Sequence, residues 1–147
     1  MAQTMVPLLV IIFAGSLAAI QAPMNAALGQ GLWSGTAAAT ISFGVGFVAL
    51  LLVITLTGET VNLGKTAHVN RWLLISGCLG AFYVWAILWT IPALGVLTAV
   101  SGMILGQLFV ALLLDSVGPF GLPVTEISVT RILAVALVGG GLVLSKI

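Results

Sequence analysis

The chain has 147 residues, of which four are basic and three acidic, with a formal net charge of +1 and a mean hydropathy of +1.33. A water-soluble domain carries charge on about a quarter of its residues, and 5% cannot clothe a polar exterior. The composition excludes a soluble globular domain and makes lipid the solvent for most of the surface.

Crossing roughly 30 Å of hydrocarbon takes about 20 predominantly apolar helical residues. Apolar runs of that kind predict spans over 5–28, 34–57, 71–90, 92–114 and 129–145. Helices are required because lipid offers the backbone no hydrogen bonds, and no strict apolar/polar alternation is present for a barrel. The charges lie at span ends or between spans: Glu59, Lys65 and Arg71 at one break, Asp115, Glu126 and Arg131 at another, and Lys146 at the end.

The first run lacks the basic leader and short apolar core of a cleavable signal, so a retained helix is expected. It ends in Gln21, Pro23 and Asn25. Gln21 and Asn25 are four apart and share a helix face. Pro23 takes away the hydrogen bond that would reach the Ala19 carbonyl and is expected to kink the helix. Amides beside interrupted backbone fit a cavity wall, and equally fit two groups that bond helices together. A glycine-rich turn is expected over 29–33. In the second span Thr36, Thr40 and Gly44 share a helix-contact face. The polar segment 58–70 holds the single histidine, His68.

The third span is aromatic. Trp72 and Trp89 stand at its ends, where tryptophan anchors to the membrane interface, as does Trp33 in the preceding turn. Phe82, Trp85 and Trp89 form a stripe. Tyr83 and Trp85 lie deep enough to line a site by stacking or cation–π attraction, against the alternative of packing or lipid contact. The lone Cys78 has no partner for an internal disulfide. Pro92 suits the first turn of the fourth span. That span carries Gly102-x-x-x-Gly106, a close-approach motif, followed by Gln107. A buried amide must find a partner, either a ligand or a neighbouring helix. Pro119, Gly121 and Pro123 mark a loop over 115–128, and Gly140 with Ala136 gives the fifth span a contact face.

These elements make an all-α integral membrane protein of five transmembrane helices in one domain, 1–147, with termini on opposite sides. Lys65, Arg71 and Arg131 flank the N-terminal side and Lys146 the other. Three against one is a small bias by the positive-inside rule. It allows a single orientation, and it allows insertion both ways round. Two opposed copies would pair as an antiparallel dimer of ten helices, the inverted architecture of secondary transporters. No acid or base lies in the interior of a span, so no proton relay is evident. There is no metal-ligating cluster, no nucleophile–base pair, no phosphate-binding glycine loop and no basic patch. Enzymatic activity, a metal, a cofactor and nucleic acid are therefore not expected.

Gln21-x-Pro23-x-Asn25-x-x-Leu28-Gly29, Gly80-Ala81-Phe82-Tyr83-Val84, Pro92-x-Leu94-Gly95, Gly106-Gln107-Leu108 and Leu114-Asp115-x-x-Gly118, in that order, resemble the YdcZ-like family of small bacterial membrane proteins. The resemblance covers essentially the whole chain. It implies a place in the drug/metabolite transporter superfamily, a bacterial inner-membrane location, an exporter, and five-helix units that occur as dual-topology homodimers, as pairs with an oppositely oriented paralogue, or fused. It places motif positions at Gln21, Pro23, Asn25, Gln107 and Asp115. Related four-helix multidrug transporters exchange protons on a carboxylate in the first helix. Gln21 stands in the comparable region and cannot exchange a proton. Asp115, at a span end, is expected to be solvated or to cap a helix. The reading is a small-molecule transporter with Gln21, Asn25 and Gln107 lining a midplane pathway and Tyr83 and Trp85 as walls. The alternatives are a non-transporting subunit that scaffolds a partner and one half of a heterodimeric transporter.

Overall fold

A computed structural model describes residues 2–147, and every regular element among them is helical. Five long helices are α1 (Ala2–Gly31), α2 (Gly35–Leu56), α4 (Ser76–Leu94), α5 (Val96–Val117) and α6 (Val129–Leu144); α3 (Thr60–Leu63) is a single turn. Four candidate spans, Met5–Gly31, Gly35–Leu56, Arg71–Leu94 and Val96–Val117, are long and apolar enough to cross a membrane. The fifth apolar helix keeps its expected bounds to within a residue, starting after the Ser128 cap; at a rise of 1.5 Å per residue α6 covers about 24 Å, less than the other four long helices.

The chain divides into two compact units, Met1–Pro92 and Ala93–Ile147. In the first, α1 packs on α2, and Leu88 of α4 joins Ala26, Ala38 and Ala39 in a small core. Alanines let helix backbones approach closely where lipid supplies no hydrophobic drive. The expected turn at 29–33 lies later. Helix α1 runs through Gly31 because Gly29 is a contact residue: a Cβ there would sit 3.5 Å from Gly35 Cα and 3.7 Å from Ala38 Cβ. The chain reverses at Leu32-Trp33-Ser34, with Trp33 at φ 54°. Ser34 caps α2 by accepting from the Ala37 N–H at 3.1 Å. The C-terminus of α2 closes on Gly58 at φ 73°, with the Glu59 N–H donating to Ile54 O at 3.0 Å, a left-handed stop that glycine takes without strain. The segment 58–70 is not plain loop: it holds α3 and the 3-10 stretch Gly64–His68, and a second 3-10 stretch, Arg71–Ile75, leads into α4.

Pro92 was expected to open a helix and instead lies in the last turn of α4, which continues to Leu94. The break falls at Gly95, whose φ of 77° ends one helix before Ala99 N–H donates to its carbonyl and starts the next.

In the second unit α5 and α6 pack on each other. A Cβ at Gly102 would lie 3.9 Å from Leu142, and one at Gly139 would lie 3.6 Å from Leu105. At one end the buried Thr98 hydroxyl donates to Ser145 O at 3.3 Å, with Ser145 Oγ 3.2 Å from Thr98 Oγ1. At the other, the Arg131 guanidinium donates to the Asp115 carboxylate.

Candidate substrate pathway

Helix α1 carries the polar residues of the first unit through both Pro7 and Pro23 without interruption. Gln21 is exposed and lines a cavity of about 370 Å³ together with Ser42, Phe43, Phe47 and Val84. Asn25, one turn on, is only 8% exposed and makes no side-chain hydrogen bond among the described residues. The fully buried polar side-chain atom left without a partner among the described residues is Arg131 Nη1, so the Asn25 amide keeps some accessible surface. The two amides share a helix but not an environment.

Helix α4 supplies the aromatics. Trp85 and Trp89 stack with ring centroids 6.3 Å apart and planes 6° apart, and Phe82 leans on Trp85 at 5.8 Å. Trp85 lines two cavities. One, of about 400 Å³, opens at the α1–α2 turn between Gln30, Trp33, Ser34, Trp89 and Pro92. The other, of about 450 Å³, lies against Thr36, Thr40, Phe43 and Phe82. Gln21 lines neither of these two cavities, although Phe43 borders both the Gln21 cavity and the second of them. Tyr83 is half-buried. The polar rim gathers Gln30, Ser34 and Thr36, which the sequence places in a turn, at a span start and on a helix-contact face with no sign that they meet.

In the second unit Gln107 is exposed on α5, beside Gly106, which has nothing within 4 Å; Gly140 on α6 is equally open. Asp115 stays partly solvated and is paired with Arg131. It sits inside the last turn of α5, where the helix dipole disfavours an acid, and the Arg131 guanidinium offsets that. The Asp115 carbonyl also accepts from Thr125 N–H at 2.8 Å. The signal for this pair was available: the charges face each other across a loop rich in glycine and proline. Arg131 and Asp115 side chains keep 32% and 40% of their surface, while Arg131 Nη1 is buried with no partner among the described residues. For a pair this exposed a double-mutant cycle of Asp115→Asn and Arg131→Gln, read by detergent unfolding, should give a coupling of about 1 kcal/mol. Strict additivity of the two single variants would remove the pair as a tie between helices.

A family profile described as "Putative inner membrane exporter, YdcZ" matches residues 6–144. No curated protein and no solved structure matches the chain.

Proposed function

The chain belongs to the YdcZ family of inner-membrane exporters, and from that premise we propose that it exports a small organic molecule as an antiparallel pair of copies working by alternating access. The observation that carries the pathway is Asn25, a nearly buried residue of the candidate span Met5–Gly31 whose amide keeps some accessible surface and has no hydrogen-bond partner among the described residues. Backbone or side-chain polarity at membrane depth is tolerated where protein or water covers it, so an amide without an internal partner supports a wetted route. Gln21 extends that polar track one turn along α1. Gln107 supports pairing: an exposed amide on α5, flanked by the open Gly106, needs cover from another surface. In a pair of opposed copies each amide occurs twice about a pseudo-symmetric midplane, where such transporters hold substrate. Amides do not titrate near neutrality. Coupling therefore uses a group other than these amides, or the solute runs down its own gradient.

Topology reporters test the pairing. Fused in turn to the C-terminus, a reporter active only in the cytoplasm and one active only after export should both give signal, because the basic residues barely bias orientation. Two added lysines next to Met1 should shift the population toward the N-terminus-inside form. Signal from a single fusion would reject the antiparallel homodimer and favour pairing with an oppositely oriented paralogue.

A further inference from the structure

The cavity of about 400 Å³ at the α1–α2 turn differs from its neighbours in what it offers a ligand. Three tryptophans border it, and their surfaces are available: Trp33 is 95%, Trp89 72% and Trp85 40% exposed. Not one of its lining residues carries a formal charge. Its electrostatics come from ring faces and from backbone. The last turn of α1, at Gly29 and Gln30, and the last turn of α4, at Pro92, both reach it, and helix C-termini carry partial negative charge. Pro92 has no N–H to give the Leu88 carbonyl four residues back, and Leu88 also lines the cavity. The N-terminus of α2 opens here too, but Ser34 already accepts from the Ala37 N–H, which takes up a donor an anion would use. Ring faces and carbonyl ends attract the same kind of group, a poorly hydrated cation.

We propose that this cavity binds an alkylated ammonium group, the chemistry shared by free quaternary amines and by choline lipid headgroups. Its volume lies in the range of small-ligand pockets. The site stands apart from the Gln21–Asn25 track, and binding is read without flux, so failure of the transport reading leaves this test intact.

Choline is titrated calorimetrically into the purified full chain in a maltoside detergent, alongside its uncharged tert-butyl analogue. Choline should saturate, and the analogue should bind at least about ten-fold more weakly, the margin cation–π attraction supplies. Trp85→Leu and Trp89→Leu should each weaken choline about ten-fold, and Trp89→Phe should keep part of the affinity. Trp72→Phe, outside the cavity, should change nothing. Equal binding of choline and its analogue overturns the proposal. So does choline binding that survives both leucine variants, or a site that takes inorganic phosphate in place of choline. Because Trp89 is largely exposed, its variants should stay monodisperse, and the phenylalanine variant keeps the test valid if a leucine variant does not. Lipid nanodiscs then separate the sources. Choline binding lost in phosphatidylcholine discs but kept in phosphatidylglycerol discs supports the site with a headgroup as occupant. Equal binding in both supports it with the free amine.

Discussion

Alanine at Gly118 should lower the unfolding free energy by about 2–4 kcal/mol, the largest stability loss of any single methyl added to this chain. Gly118 ends α5 at φ 63°, ψ 41°, with its N–H donating to Leu114 O at 2.8 Å. Left-handed backbone costs an L-residue about 1–2 kcal/mol. The added Cβ would also lie 2.6 Å from Val124 Cγ2 and 2.8 Å from Leu122 O. The second of these is backbone, in a stretch pinned by Leu122 N–H to Pro119 O at 3.2 Å and Thr125 N–H to Asp115 O at 2.8 Å, so it has little room to move. Gly121→Ala is the control: φ is 80°, but nothing lies within 4 Å, and only the backbone cost of about 1–2 kcal/mol applies. Unfolding of both variants in micelles, followed by far-ultraviolet circular dichroism, measures the difference. Equal losses would mean that the loop yields to the methyl group and that the Gly118 contacts hold nothing in place. A large loss at Gly118 should also shrink the Asp115–Arg131 coupling, since the same loop sets where α6 begins relative to the last turn of α5.

The helices were legible because the apolar runs match the thickness of a bilayer; their ends and faces were less so, for identifiable reasons. Glycine and proline are ambiguous punctuation. Gly29 reads as a turn residue, yet it is where α1 lies against Gly35 and Ala38, and the reversal uses the positive φ of Trp33, a residue with no turn signal. Pro92 fits a helix start as well as a last turn. Only Gly95, at φ 77°, decides between them. Asp115 looked like the end of a span because charge ends an apolar run, but its partner is Arg131, beyond a loop whose course depends on Gly118 and Phe120 both taking positive φ. Faces were the hardest. A helix that is apolar all round has no moment to orient it, so the direction in which Gln21 or Trp85 faces comes from packing and not from the order of residues; here the two line different cavities. Where polar residues interrupt an apolar helix, the sequence locates depth well and azimuth poorly.

Replacing Asn25 by leucine should abolish transport while leaving the fold about as stable as before, within about 1 kcal/mol. A structural amide would behave in the opposite way. Removing one that holds helices together costs about 0.6–2 kcal/mol and leaves its former partner unsatisfied. Asn25 has no such partner to strand: it is 8% exposed, without a side-chain hydrogen bond among the described residues. Leucine branches at the same atom as asparagine, so it fills much the same space and leaves no hydrogen-bond partner stranded. A polar group whose loss leaves folding intact is retained for what it does. Proteoliposome counterflow, with the wild type used to identify a transported solute from a panel of small organic molecules, gives the functional half. Micellar unfolding gives the structural half. Gln21→Leu, on the open cavity wall with Ser42, should reduce flux less steeply, because that side chain is exposed and the Ser42 hydroxyl remains on the same wall. If Asn25→Leu unfolds the protein and Gln21→Leu does not, Asn25 is a helix tie and the route runs elsewhere. If Asn25→Leu folds normally and transports normally, α1 does not line the pathway at that depth. Loss of flux with intact stability is the one outcome that places the substrate against α1.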